Sequence, residues 1–153
     1  LQQGLLTLME GEVVAYKTNP VTELFGEVVS SYTRAQALED GVLVDAGALA
    51  QEAGFHWPVA LTRAVWEDCV AWEDADNRSQ VFQDQTGRLW DVLFMAAMAI
   101  RQSRNGGDQL RFTLQRVPRH GHSSRAELVT VKLVVGPGDH GEPVITLLQP
   151  KED

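Results

Sequence analysis

Five residues towards the C-terminal end carry side chains that could move protons and steady charge on an oxygen: His120, His122, Lys132, His140 and Thr146. An imidazole exchanges protons near neutral pH. A lysine held beside a hydroxyl stabilises charge developing on a phosphate oxygen. Arg116, Arg119 and Arg125 flank the first two histidines. Three readings follow for this basic stretch: an active site, a phosphate- or partner-binding patch, or a solvated loop decorated with cations. His120 and His122 could also ligate a metal, with His140 or Asp139 as a third ligand. No Cys-x-x-Cys or His-Glu-x-x-His pattern accompanies them, so neither a metal nor another cofactor is expected. The glycine-rich run from Gly136 to Gly141 lacks the Gly-Lys-Ser/Thr ending of a phosphate loop, and no helix follows it. It is expected to be a loop between strands.

A second cluster has the opposite sign. Glu67, Asp68, Glu73, Asp74 and Asp76 form an acidic ridge that could engage a basic protein or a divalent cation, against the ordinary reading of a solvated helix face. The two clusters belong to an uneven charge distribution. Residues 1–108 carry 7 Lys/Arg against 16 Asp/Glu, whereas residues 109–153 carry 6 against 5. Within 111–132 five cations stand against Glu127 alone. The expectation is an acidic body with a small basic end. Cys69 is the one cysteine, so no intrachain disulfide forms. With Glu67 and Asp68 beside it, it reads as a buried thiol rather than a nucleophile.

These side chains need elements to hold them. Thr33 is placed to cap a helix over 34–40, stopped by Gly41. An extended segment at 42–44, a short helix over 46–53 and an extended stretch at 55–59 come next, with Pro58 keeping Trp57 out of the helical region. Thr62 caps a helix over 63–72, whose Val65, Cys69 and Trp72 share a face. After a polar loop, a helix over 88–101 is apolar nearly all round and is expected to be buried on more than one face. A turn at 105–108 introduces strands at 110–115, 128–135 and 144–148. Pairing Val131 and Leu133 with Leu147 and Ile145 makes one side of the last hairpin apolar and sets Lys132 beside Thr146. The expected fold class is α+β, a helical N-terminal two-thirds packed on a C-terminal antiparallel three-stranded meander. One domain over 1–153 is expected, with 1–23 as an N-terminal extension to a core at 24–153. No apolar run is long enough to span a bilayer and no secretion signal opens the sequence, so the cytoplasm is the expected compartment.

Four blocks have a pattern in common with known proteins: Ser31-Tyr32-Thr33-Arg34-Ala35-Gln36-Ala37; Ala60-Leu61-Thr62-Arg63-Ala64-Val65-Trp66-Glu67-Asp68-Cys69-Val70-Ala71-Trp72; Gly87-Arg88-Leu89-Trp90-Asp91-Val92-Leu93; and Gly136-Pro137-Gly138-Asp139-His140-Gly141-Glu142-Pro143-Val144-Ile145-Thr146. In this the chain resembles a family of small uncharacterised bacterial proteins encoded on plasmids, integrative conjugative elements and phage-like regions. The resemblance runs from about residue 24 onward. It implies a setting, an accessory protein of a mobile element among anti-defence proteins, and assigns no residue a role. The leading expectation is a non-enzymatic protein that binds a host protein with a basic surface. The alternative is a phosphate-handling enzyme on the basic meander, resembling small metal-independent ribonucleases in residue types alone. Nucleic acid at the basic loop is a further expectation. A DNA-binding module ranks last, since no helix carries the basic residues that base reading needs.

Overall fold

The computed structural model describes residues 32–104, 106–119 and 125–152. The first helix among the described residues, α1 (Arg34–Asp40), begins where Thr33 accepts a hydrogen bond from the Gln36 amide, and Gln36 reaches back to the Thr33 amide. Gly41 closes it at φ +78°, a conformation that penalises any residue with a Cβ. Strand β1 (Leu43–Asp45), helix α2 (Ala48–Glu52) and strand β2 (Val59–Thr62) follow. Thr62 ends β2 and caps α3 (Arg63–Val65), accepting from the Val65 amide. The helix then widens into a π-helical turn, Trp66–Val70, closed by the Ala71 amide on the Trp66 carbonyl at 2.8 Å. It therefore stops two residues before the end that the apolar spacing predicts. A short α4 (Asp74–Ser79) and the long α5 (Gln85–Gln102) lead to β3 (Gln109–Arg116), β4 (Glu127–Pro137) and β5 (Pro143–Leu148).

The strands form one five-stranded mixed sheet in the order β1-β2-β5-β4-β3. The β2–β5 pair is parallel and the other three pairs are antiparallel. This corrects the expected architecture. The last three strands do make a meander, but they are part of a larger sheet that the first half of the chain also enters, and the helices lie mostly in the middle of the sequence. The physical reason lies in β1 and β2. They are three and four residues long, and Val59, Ala60 and Leu61 are all buried. A strand covered on both faces shows no alternation of apolar and polar residues, so periodicity does not reveal it.

The hairpin register is also corrected. Leu133 pairs with Leu147 and Val135 with Ile145, so Lys132 lies opposite Leu148 rather than Thr146. The slip is two residues, which keeps every side chain on its expected face. Val131, Leu133, Ile145 and Leu147 accordingly form the centre of the core. Each fully buried leucine there stabilises the fold by about 1.5–3 kcal/mol. The other side of β5 is covered too, for Val144 and Leu148 are buried.

Helix α5 packs on this sheet with Leu89, Val92, Leu93, Ala96, Ala97 and Ile100 inward. Its opposite side is open. Phe94 is 44% exposed and Met95 38%, so the helix is buried on one face only, despite an apolar composition that predicts more. Among the described residues no helix is long and apolar enough to cross a membrane.

Candidate functional site

Three places could carry function, and they differ in how fully their polar groups are already engaged. The first is the outer face of β4 and β5. Lys132 donates from Nζ to the Glu152 carbonyl at 2.7 Å. The Glu152 carboxylate in turn accepts from Thr62 Oγ1 and from the Gln149 amide, each at 2.7 Å. Thr146 accepts from Arg34 Nη1 at 2.8 Å, and Arg34 Nη2 donates to the Ile145 carbonyl at 2.9 Å. Asp139, in the β4–β5 loop, accepts from the Arg34 and Ala35 amides at 2.8 and 3.0 Å. Those bonds, the one from Ala35 foremost, hold the Asp139 carboxyl below the ordinary carboxylate range. Asp139 thus caps α1 from 105 residues away in sequence, with Arg34 fastening the same helix to β5. A Cβ at Gly138 would displace the end of the Glu142 side chain, which accepts from the His140 amide.

For the expected proton-transfer set the consequences are specific. Lys132 and Thr146 share a face but answer to different partners. His140 is exposed in the loop, its amide donating to Glu142 Oε2 at 2.9 Å. From Lys132 to the loop at Pro137 is five strand residues, roughly 16 Å at ~3.3 Å each. The lysine and His140 are not brought together. His120 and His122 lie outside the described residues, as does the expected extension at 1–23.

The second place is the acidic ridge, and its charges meet the basic stretch. Arg116 Nη2 lies 3.0 Å from Asp68 Oδ1. Arg119 is shared by three carboxylates: Nε donates to Asp76 Oδ2 at 3.0 Å, while Nη1 and Nη2 reach Glu67 and Glu73 at 3.3 and 3.2 Å. Asp76, 5% exposed, also accepts from the Glu73 amide at 2.9 Å. Burial acts to lower the Arg119 pKa, but the hydrogen bond to Asp76 and the charges of Asp76, Glu73 and Glu67 outweigh it and hold the guanidinium above its ordinary value. Asp74 and Arg125 are exposed.

Beneath the ridge lies a cation that sequence reasoning overlooked. Arg88 is 4% exposed; its Nε donates to the Val70 carbonyl at 3.0 Å, and Nη1 donates to Gln83 Oε1 at 2.8 Å and to the Val117 carbonyl at 3.0 Å. Its guanidinium stacks on Trp72, 4.5 Å from the ring centroid. The signal was an arginine in the first turns of a helix whose other charged residues are Asp91 and Arg101 alone. Burial pushes the Cys69 thiol up to about 12, with Asp68 adding to the effect, so the thiol is protonated and inert near neutral pH.

The third place is a groove of about 540 Å³ between the C-terminal half of α5 and β3. Phe94, Met95 and Met98 line its helix side, and Leu110 and Phe112 line the strand side. Arg104 and Arg111 stand at its rim, both exposed, and neither makes an ion pair with a described residue. Sequence reasoning passed over this place because its apolar residues look like core. A smaller hollow of about 290 Å³ lies beside Asp45, His56 and Trp57; there Asp45 accepts from the Gly47 amide rather than from the imidazole. Among the described residues no three His, Cys, Asp or Glu side chains are grouped to hold a metal ion.

A family model described as a family of unknown function, DUF6573, matches residues 23–153, and the chain belongs to that family. No curated protein and no solved structure matches it.

Proposed function

We propose that this member of DUF6573 works by binding a protein rather than by catalysing a reaction, and that the partner docks in the α5–β3 groove. The observation that carries this reading is the exposure of Phe94 and Met95, contiguous with Met98 and Leu110, on a helix whose other side is core. Apolar surface gathered in a concave strip and rimmed by charge is the usual composition of a docking site. The acidic ridge is the weaker surface for capturing a basic partner, because Arg116 and Arg119 already engage four of its five carboxylates. A new cation there competes with an internal one.

The wider setting is part of the same proposal. The four sequence blocks resemble proteins of plasmids, integrative conjugative elements and phage-like regions, so the partner is a host protein and the chain an accessory of a mobile element with an anti-defence role. The test is site-specific capture. A photo-crosslinking residue replacing Met98 is expected to trap one bacterial protein, while the same residue replacing Glu39 on α1 traps none. Phe94→Glu together with Met95→Glu is expected to abolish that capture, and Glu73→Lys with Asp74→Lys to spare it. The opposite pattern would move the interface to the ridge.

A further inference from the structure

The groove has a second property that its apolar lining does not by itself require: one wall is the edge of the sheet. Strand β3 is the last in the order, pairs with β4 over Gln109 to Arg116, and has no described strand on its other side. Every second residue of such an edge directs its amide and carbonyl outward, unpaired. The two faces of β3 differ sharply. Phe112 and Leu114 are buried, with Leu110 packed against the same core, whereas Arg111, Thr113 and Gln115 are exposed on the other face.

That outer face carries an unusual pairing. Arg111 lies directly opposite Lys132 in the β3–β4 register. Two cations in facing positions repel. Lys132 turns to the Glu152 carbonyl, a neutral acceptor, and Arg111 finds no described carboxylate. In a chain with 13 Lys/Arg and 21 Asp/Glu, a cation pair left at a sheet edge invites an anion from outside.

Building on the groove reading above, we infer that the partner contributes an extended segment that adds to β3 as a sixth strand. Its alternate residues are apolar and face α5, and the residues between them are acidic and face Arg111. Main-chain hydrogen bonds to the β3 edge supply affinity, and the two side-chain sets supply selectivity. The inward residues lie over Phe94, Met98 and Leu110, where a side chain every second position fills the groove. An outward carboxylate beside Arg111 stands between the partner's backbone and the Arg111–Lys132 pair, while Arg104 offers a second cation where the groove ends. A nucleic-acid strand offers no alternation of apolar and anionic side chains to match the two faces of β3, and a second copy of this chain brings a like charge of −8 over its whole surface.

The experiment uses the full chain and the peptide acetyl-Ser-Val-Glu-Val-Glu-Val-Ser-amide, followed by calorimetry and by amide hydrogen exchange. Binding is expected with slowed exchange at alternate amides of β3. The same peptide with lysine in place of both glutamates is expected to bind roughly tenfold more weakly, and Arg111→Glu to reverse that preference. Arg111 is exposed, and Arg111→Ala, expected to lose the preference without reversing it, serves as a second variant. Two further peptides carry N-methyl groups either on the three valines or on the two glutamates. Only one of these sets directs its amides at β3, so one peptide is expected to fail and the other to bind.

Equal binding by both methylated peptides overturns strand addition while leaving the groove reading intact. Loss of crosslinking selectivity at Met98 would defeat the groove reading itself. No binding by the unmodified peptide up to about 1 mM, displacement by an oligouridylate of similar length, or a homodimer broken by Arg111→Glu each overturns the inferred partner. Sedimentation as a monomer supports it.

Discussion

The ridge that Arg116 and Arg119 cross and the groove between α5 and β3 are opposites in how they treat their resources. On the ridge, Glu67, Asp68, Glu73 and Asp76 each contact Arg116 or Arg119, and Arg88 beneath them makes three good hydrogen bonds to its surroundings. In the groove, Phe94 and Met95 are exposed and Arg104 and Arg111 have no described counter-ion. A dense concentration of charge in the sequence is therefore already engaged within the fold. Internally satisfied charges fix the fold. It is the groups left over, apolar as much as charged, that have free energy available for a partner.

The contrast can be broken by measuring stability and binding on both sides of it. The largest effect is expected at Arg88. Arg88→Met leaves the Val70 and Val117 carbonyls without their donor and removes the stack on Trp72, for a loss of about 3 kcal/mol in urea unfolding. Peptide binding at β3 should persist under conditions where the variant is folded.

Next comes Arg119→Met, expected to cost about 2 kcal/mol because it removes the cation that balances the buried Asp76 carboxylate. Adding Asp76→Asn should recover about half of that, since the charge left unbalanced is then gone. An additive double mutant would mean that the pair is not coupled.

The Asp139 cap is smaller still. Asp139→Ala is expected to cost about 1 kcal/mol at neutral pH. Because the folded carboxyl lies below its ordinary range, its stabilisation is present above the unfolded value. It is lost as the pH falls through the lower folded value, below about 4. Acid unfolding should therefore separate wild type from Asp139→Ala less and less as the pH drops.

Smallest in stability, and decisive for the comparison, are Phe94→Glu and Met95→Glu. Each is expected to shift unfolding by under about 0.5 kcal/mol while lowering partner affinity about thirtyfold. A groove variant that destabilises the fold as much as Arg88→Met would erase the distinction drawn above.

How much of this was legible beforehand follows from the range of each signal. Local chemistry was readable: Thr33 and Gly41 bound α1 at both ends, Thr62 caps α3, and the alternation in β3 to β5 gives the correct faces. The partners of those faces were not. Parity in a strand decides which side a residue takes, but Lys132 sits opposite Leu148 or Thr146 with the same parity, and only the assembled sheet chooses. The short β1 and the doubly buried β2 carry no period to read. The ion pairs of Arg119 span 43 residues to Asp76, so the acidic ridge and the basic stretch look like two free surfaces until the chain folds them onto each other. Even the resemblance blocks divide in this way. Arg34 and Thr146, from the first and last of them, meet through a single hydrogen bond, and Arg88 of the third lies on Trp72 of the second.

The place of β5 in the sheet has a consequence for how the protein is made. Strand β5 lies between β2 and β4, so it joins a half built from early sequence to a half built from late sequence. A ribosome delivers the chain from its N-terminus at about 5–20 residues per second. Every other strand of the sheet therefore emerges before the one that unites them. Until residues 143–148 clear the exit tunnel, β2 and β4 each wait with an open apolar edge. A nascent chain tethered to the ribosome through a C-terminal linker, with only the residues before Pro143 outside the tunnel, should consequently be held by chaperones, and a linker long enough to expose residues 143–148 as well should release it.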